Sequence, residues 1–141
     1  MSDYKTQRWA NGRGRLGGHA THLRKNMSLR PSLQRTHPYC VILNLIYHER
    51  APDGLPGDEQ ELYRLDRAEE ALADRFVSEC NAHFAVVVTG DGTRDLFFFL
   101  PRSTSRQQIA QIIQAVAPEV DFDFSLHHDP AWRPYHDLMP T

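Results

Sequence analysis

Three runs dense in β-branched and aromatic residues, a fourth run that alternates apolar with polar, and two stretches of helical periodicity predict an α+β domain ordered βαββαβ. The first run, Tyr39 to Tyr47, is apolar on both faces and is bounded by Pro38 and the turn cluster Ala51-Pro-Asp-Gly-Leu-Pro-Gly57. After that loop, Asp58 with Glu61 makes a capping box, and Leu62, Leu65, Ala68, Leu72, Phe76 and Cys80 share one stripe, which predicts a helix over residues 59 to 80. Phe84 to Thr89 and Leu96 to Leu100 flank Gly90-Asp-Gly-Thr93, whose glycines supply the positive φ of a tight hairpin. Ser103 or Thr104 then caps a helix carrying Ile109, Ile112, Ile113 and Val116, stopped by Pro118. In the last run Val120, Phe122, Phe124 and Leu126 face one way, and Asp121, Asp123 and Ser125 the other.

That order is the ferredoxin-like one, a four-stranded antiparallel sheet in strand order 4-1-3-2 with two helices on one face. The order places the first and third runs at the centre, where both faces need apolar residues, and leaves the acidic fourth run at an edge. The second face of the sheet then needs a cover. The N-terminal segment, the C-terminal tail or a second copy, in a homodimer through that face, would each supply one.

Charge divides the chain. Residues 1–36 hold eight Lys and Arg against Asp3 alone, whereas the remainder holds eight basic and seventeen acidic residues. The front segment is rich in Gly and poor in apolar periodicity, so residues 1–18 read as a mobile basic arm, dispensable for folding, and 19–36 as a partly ordered lead-in with room for one extra strand. Residues 37–141 form the ferredoxin-like domain with a docked tail. A basic arm of this kind makes weak, non-specific contact with nucleic acid, folds back on its own acidic domain, or is a targeting or translation-start extension. No apolar run is long enough to span a membrane and none follows the N-terminal basic residues as a signal would, so a cytoplasmic protein is expected.

Little in the sequence points to chemistry. His19-x-x-His22 and His127-His128 have no further ligand spaced beside them, and Cys40 and Cys80 read as small buried apolar residues, so neither a metal nor another cofactor is expected. Gly12-Arg-Gly-Arg-Leu-Gly17 has a dinucleotide spacing without the strand and helix it requires. The first strand has Val41 where an RNA-recognition sheet places an aromatic ring. The expected function is therefore a non-enzymatic binding or regulatory module acting by protein–protein contact, with no catalytic residues. The alternative is an enzyme or small-ligand binder with a pocket between the second sheet face and the tail, using His48, Asp123 and His128.

The chain closes on Asp129-Pro-Ala-Trp-Arg-Pro-Tyr135, whose prolines and aromatics predict a rigid, docked tail. Asp129 would bond backbone amides while Trp132 and Tyr135 pack over the sheet; part exposed, these three residues would instead anchor a partner. The Gly54-Leu55-Pro56 loop, the hairpin with Thr89-Gly90 and a Phe-rich return strand, and the closing Asp129-Pro-x-Trp-x-x-Tyr135 together resemble the bacterial domain of unknown function 695 over residues 20 to 138. The closing pattern alone is also similar to that of the regulator of ribonuclease activity B, a ribonuclease E inhibitor of ferredoxin-like fold. That likeness implies a small protein-binding regulator. The acidic helix of that inhibitor is only partly echoed by Asp58, Glu59, Glu61, Asp66, Glu69, Glu70 and Asp74, so the likeness does not imply the same partner. The partner of the expected binding module would meet the acidic first helix or the second sheet face.

Overall fold

The computed structural model describes residues 4–139, without the Leu16 side chain. The ends of the expected arm and tail, residues 1–3 and 140–141, lie outside them. After a 3-10 turn at Tyr4–Thr6, the elements are β1 (Trp9–Leu16), β2 (His19–Asn26), α1 (Leu33–Thr36), β3 (Tyr39–Ile46), α2 (Glu59–Glu79), β4 (His83–Gly90), β5 (Thr93–Leu100), α3 (Arg106–Val116), β6 (Asp121–His128) and α4 (Arg133–Asp137). The strands make one sheet in the order β1-β2-β4-β5-β3-β6, antiparallel throughout.

The expected four-stranded ferredoxin-like sheet is therefore corrected to a six-stranded one. The two added strands are β1, from the segment read as an arm, and β2, which hydrogen-bonds to β4. Apolar alternation did not announce them because an edge hairpin has little core to face. Glycine and arginine fill β1 where buried strands carry Val or Phe, and its place is fixed by backbone pairing from Trp9↔Asn26 to Leu16↔His19.

Both long helices pack on one face of the sheet, where Leu43, Leu45, Leu65, Leu72, Phe76, Phe84, Phe98, Ile109 and Ile113 form the main core. Asp58 caps α2 by accepting a hydrogen bond from Glu61 N at 2.7 Å. The buried Glu61 carboxylate accepts from His48 N at 3.0 Å, fixing the chain as it leaves β3. Ser105, one residue beyond the expected caps, starts α3 by accepting from Gln108 N at 3.0 Å. The β4–β5 hairpin turns at Asp91 (φ 50°) and Gly92 (φ 90°), a left-handed pair suited to a two-residue loop. Gly90 lies so close to β2 that a Cβ there would stand 2.7 Å from Ala20 O. The sheet needs glycine at that contact.

The opposite face carries a second apolar cluster of Cys40, Ala85, Val86, Phe97, Phe99, Leu29, Trp132 and Tyr135. The tail, with residues 29–33, covers one end of this face, and the rest shows Ile42, Asn44 and Asp95, all half-buried.

The N-terminal segment is built into the helix side. The rings of Tyr4 and Trp9 stand edge-on to Phe84, with centroids 5.6 and 5.1 Å away. Lys5 pairs with Glu70 at 3.2 Å, and Arg24 pairs with Glu69, so the basic front of the chain lies along the acidic flank of α2. Trp9→Ala should therefore cost about 2 kcal/mol, less than a fully buried tryptophan because this ring is half-buried. Deleting residues 1–18 should lower the melting temperature by several degrees, measured by circular dichroism.

Candidate functional site

At the edge of the sheet, β1 pairs among the described residues with β2 alone, so its other side is the outer edge of the sheet. Alternation sends Trp9, Asn11 and Arg13 to the helix side and Ala10, Gly12 and Gly14 to the other. Gly12 and Gly14 carry no side chains, and a groove opens on each face of the sheet over β1, β2 and β4.

The helix-side groove, about 450 Å³, is lined by Asn11, Gly12, Arg13, His22, Leu23, Arg24, Thr89 and Arg94. Arg94 is 5% exposed, and three acceptors hold its guanidinium: Thr89 Oγ1 at 3.0 Å, Asp66 Oδ1 at 2.7 Å and Glu69 Oε1 at 3.3 Å. Arg24 shares the Glu69 carboxylate. Burial holds the His22 imidazole below its ordinary pKa, and Arg13 and Arg94 depress it further against the opposing pull of Asp53. Two guanidiniums at this groove are thus fixed, each paired with a carboxylate of α2.

The groove on the other face, about 230 Å³, is lined by Gly12, Arg13, Gly14, Arg15, Thr21, Leu23, Val88, Asp137, Leu138 and Met139. Its floor is apolar, from Leu23, Val88 and Leu138, and Met139 at its wall is 61% exposed. Arg13, Arg15 and Asp137 give this groove charged groups beside its apolar floor.

Compared with known families, the chain matches the model of a family of unknown function, DUF695, over residues 7–139. The chain belongs to that family. No curated protein matches it. The DUF695 match takes in β1, both grooves and the tail, so the edge strand is part of the family domain.

In this DUF695 chain the expected tail residues are committed to packing. Asp129 Oδ2 accepts from Arg133 N at 3.1 Å, and Asp129 N donates to Pro38 O at 2.7 Å. Trp132 is 1% exposed, stacks on Phe99 with centroids 4.2 Å apart, and donates through Nε1 to His37 O at 2.7 Å. Tyr135, also buried, donates its hydroxyl to Asn26 O at 2.5 Å. The three residues act together, as a clasp on the second face.

His48, Asp123 and His128 are not brought together. His48 Nε2 reaches Asp121 Oδ2 at 2.7 Å beyond one end of β3, and Asp123 stands across from Asn44. His128, five residues further along β6, or about 17 Å at strand rise, lies against Tyr39 with centroids 5.2 Å apart. A cavity of about 190 Å³ does place Cys40 beside its register partner His127. The Cys40 thiol, however, is pushed up to about 12 by burial and by Asp129, so it stays protonated and a poor nucleophile. Among the described residues, no group of three or more His, Cys, Asp or Glu is placed to hold a metal ion.

Of the groove residues, the sequence raised His22 only as a metal ligand and Arg13 only as part of a basic arm, and it singled out neither Arg94 nor Met139. The available signal was Asn11-Gly-Arg-Gly-Arg15, a period of two written in glycine and arginine where strands are usually recognised in apolar residues.

The tail rests on a histidine pair. His37 and His83 have ring centroids 4.3 Å apart, and the His37 ring meets Asn81 O at 3.0 Å. Burial lowers both imidazoles, His83 to about 4, where the neighbouring His37 adds to the effect. A histidine with a depressed folded pKa leaves stability intact above its unfolded value near 6.5 and removes it as the pH falls from there through the folded value. Chemical denaturation of wild type and His83→Gln between pH 7 and 4 should show the wild type losing more stability, with the difference opening below pH 6.5. Trp132→Ala should cost about 3–5 kcal/mol, and Tyr135→Phe about 1 kcal/mol for the lost hydroxyl bond, both read from urea unfolding.

Proposed function

We propose that this DUF695 protein is a non-enzymatic binding module of the cytoplasm that acts by protein–protein contact, taking its partner at the β1 edge as an added strand. One observation carries the reading: among the described residues β1 is paired on one side only, which leaves its outer edge as the place where a partner strand could add. Edge strands are commonly blunted by charge or bulges. The arginines of β1 discourage pairing with a second β1 while leaving the backbone open to a partner of opposite sign.

The other surfaces anticipated from sequence support docking less well. On α2, Asp66 and Glu69 are held by Arg94, Glu69 also by Arg24, Glu70 by Lys5, and Asp74 by Lys5 and Tyr4. The second sheet face lies partly beneath the tail. The likeness of the closing pattern to a ribonuclease inhibitor family favours a binder in general and names no partner. In cells, a photo-reactive phenylalanine derivative replacing Asn11 should give a discrete cross-linked protein adduct, and the same residue at Arg75 on α2 or at Asn44 on the second face should not. Adducts from Arg75 or Asn44 with none from Asn11 would move the docking surface away from β1.

A further inference from the structure

Strand alternation turns Lys25 of β2 onto the second face, in register with Ala10 and Val86, and only 5% of the residue is exposed there. Among the described residues its ammonium has no carboxylate partner: its neighbours are the Tyr135 ring, with the centroid 4.4 Å from Nζ, and Met139 Sδ at 3.6 Å. An ammonium has three protons to donate and a thioether is a weak acceptor, so a covered cation is left short of acceptors. Burial accordingly pushes the Lys25 pKa down, with no anion to oppose it. Met139 is in the opposite situation. It is 61% exposed, within reach of dissolved oxidants. We propose that Met139 is an oxidation site at which a peroxide strengthens the hold of the C-terminal tail, because the sulfoxide oxygen supplies the strong acceptor that Lys25 lacks.

In the step itself a sulfur lone pair attacks one oxygen of hydrogen peroxide. The S–O bond forms as the O–O bond breaks, the sulfur gives up two electrons, and the departing hydroxide takes the proton of the transferred hydroxyl and leaves as water. An oxygen set on Sδ toward Lys25 would fall within about 3 Å of Nζ, an ordinary length for an N–H···O bond, with the sulfur where it stands. Methionine oxidation disrupts a core when it makes a buried thioether polar. Met139 is mostly in water already, so little apolar burial is lost, and a charge-assisted hydrogen bond from a covered cation is gained. Met27, 39% exposed just beyond β2, makes no hydrogen bond through its sulfur among the described residues and provides an internal comparison. Since Trp132 and Tyr135 cover the second face, the state of Met139 would set how firmly that cover is held, and enzymatic reduction of the sulfoxide would relax it.

The full chain is treated with dilute hydrogen peroxide, the oxidised residues are assigned by peptide mass, and treated and untreated protein are compared by thermal melting and by amide hydrogen exchange. Met139 should be oxidised at least as fast as Met27. Protein oxidised at Met139 should melt about 3 °C higher, and the amides of residues 135–139 should exchange several-fold more slowly. Met27→Leu should keep the rise. Met139→Leu should lose it, which also separates the effect from oxidation of the half-buried Cys80. Lys25→Leu should lose it as well, since the sulfoxide then has no cation to hold. Met139→Gln, which leaves Lys25 in place, sets an amide oxygen near the ammonium and should reproduce the rise without peroxide.

A melting temperature unchanged or lowered in protein oxidised at Met139 would overturn the proposal, and so would a rise that survives Lys25→Leu or Met139→Leu. Oxidation of Met27 with Met139 left intact would show that the tail sulfur is not the reactive one. Should Lys25→Leu fail to fold, the comparison of Met139→Gln with Met139→Leu decides instead: equal melting temperatures would mean that Lys25 gains nothing from an oxygen acceptor at this position, and the assignment would fall.

Discussion

Phe97, Phe98 and Phe99 stand at consecutive positions of β5, and a strand must send such neighbours to opposite faces. Phe98 enters the helix-side core between Phe76 and Phe84, while Phe97 and Phe99 emerge on the other face. Neither face of the sheet can then be left in water, because each large ring removed from solvent contributes on the order of 2–3 kcal/mol. The two long helices answer on one side. On the other, where no long helix packs, a short tail held by two aromatic side chains and their hydrogen bonds does the work, with Trp132 accepting a left-handed backbone (φ 52°) to place its ring on Phe99.

The opposed charges of the two ends of the sequence are reconciled within the molecule. Basic side chains from the N-terminal turn and β2, joined by Arg94 of β5, run beside the carboxylates of α2 and close a ladder from Asp66 to Asp74. The exposed rungs, Lys5 among them, contribute little individually. The rung between Arg94 and Glu69 is different in kind: both side chains are largely buried, so removing either would strand the other's charge where little water reaches, which is strongly destabilising whatever the pair adds on balance. These pairs set β2 beside α2, and with it the strand that β2 holds at the edge.

The sequence made the central part of this architecture legible, and the reason is local. Tyr39 to Ile46, Phe84 to Val88 and Leu96 to Leu100 are buried on both faces or nearly so, and the stripes on α2 and α3 match the surfaces they cover. Of the outer hairpin, β2 falls where one extra strand was expected within residues 19–36, whereas β1 was not legible as structure. The strands of that hairpin are fixed by backbone pairing, by the rings of Tyr4 and Trp9 on Phe84, and by ion pairs with residues 45 to 65 positions away. Hydrophobic periodicity sees none of these. The groove was missed for the same reason: Arg94 sits in an apolar strand and Arg24 in a basic segment, and only the sheet register brings them together. The tail was read as docked over the sheet because Trp132 and Tyr135, beside two prolines, carry enough apolar area to require burial, with a partner anchor kept as the alternative.

The hydrogen bonds that fasten the tail link residues 95 and 109 positions apart in the chain, from Trp132 to His37 and from Tyr135 to Asn26. Contacts of such long sequence separation form late, since most of the chain must be ordered before they repay the loop they close. During synthesis the helix-covered face could assemble around β3, β4 and β5 while Phe97 and Phe99 still face water, and they would remain so until residues 132 to 138 have been made. A growing chain stalled before that point would display the most adhesive surface of the protein, so the last stretch of translation is the interval in which this fold would lean most on the cell's chaperones.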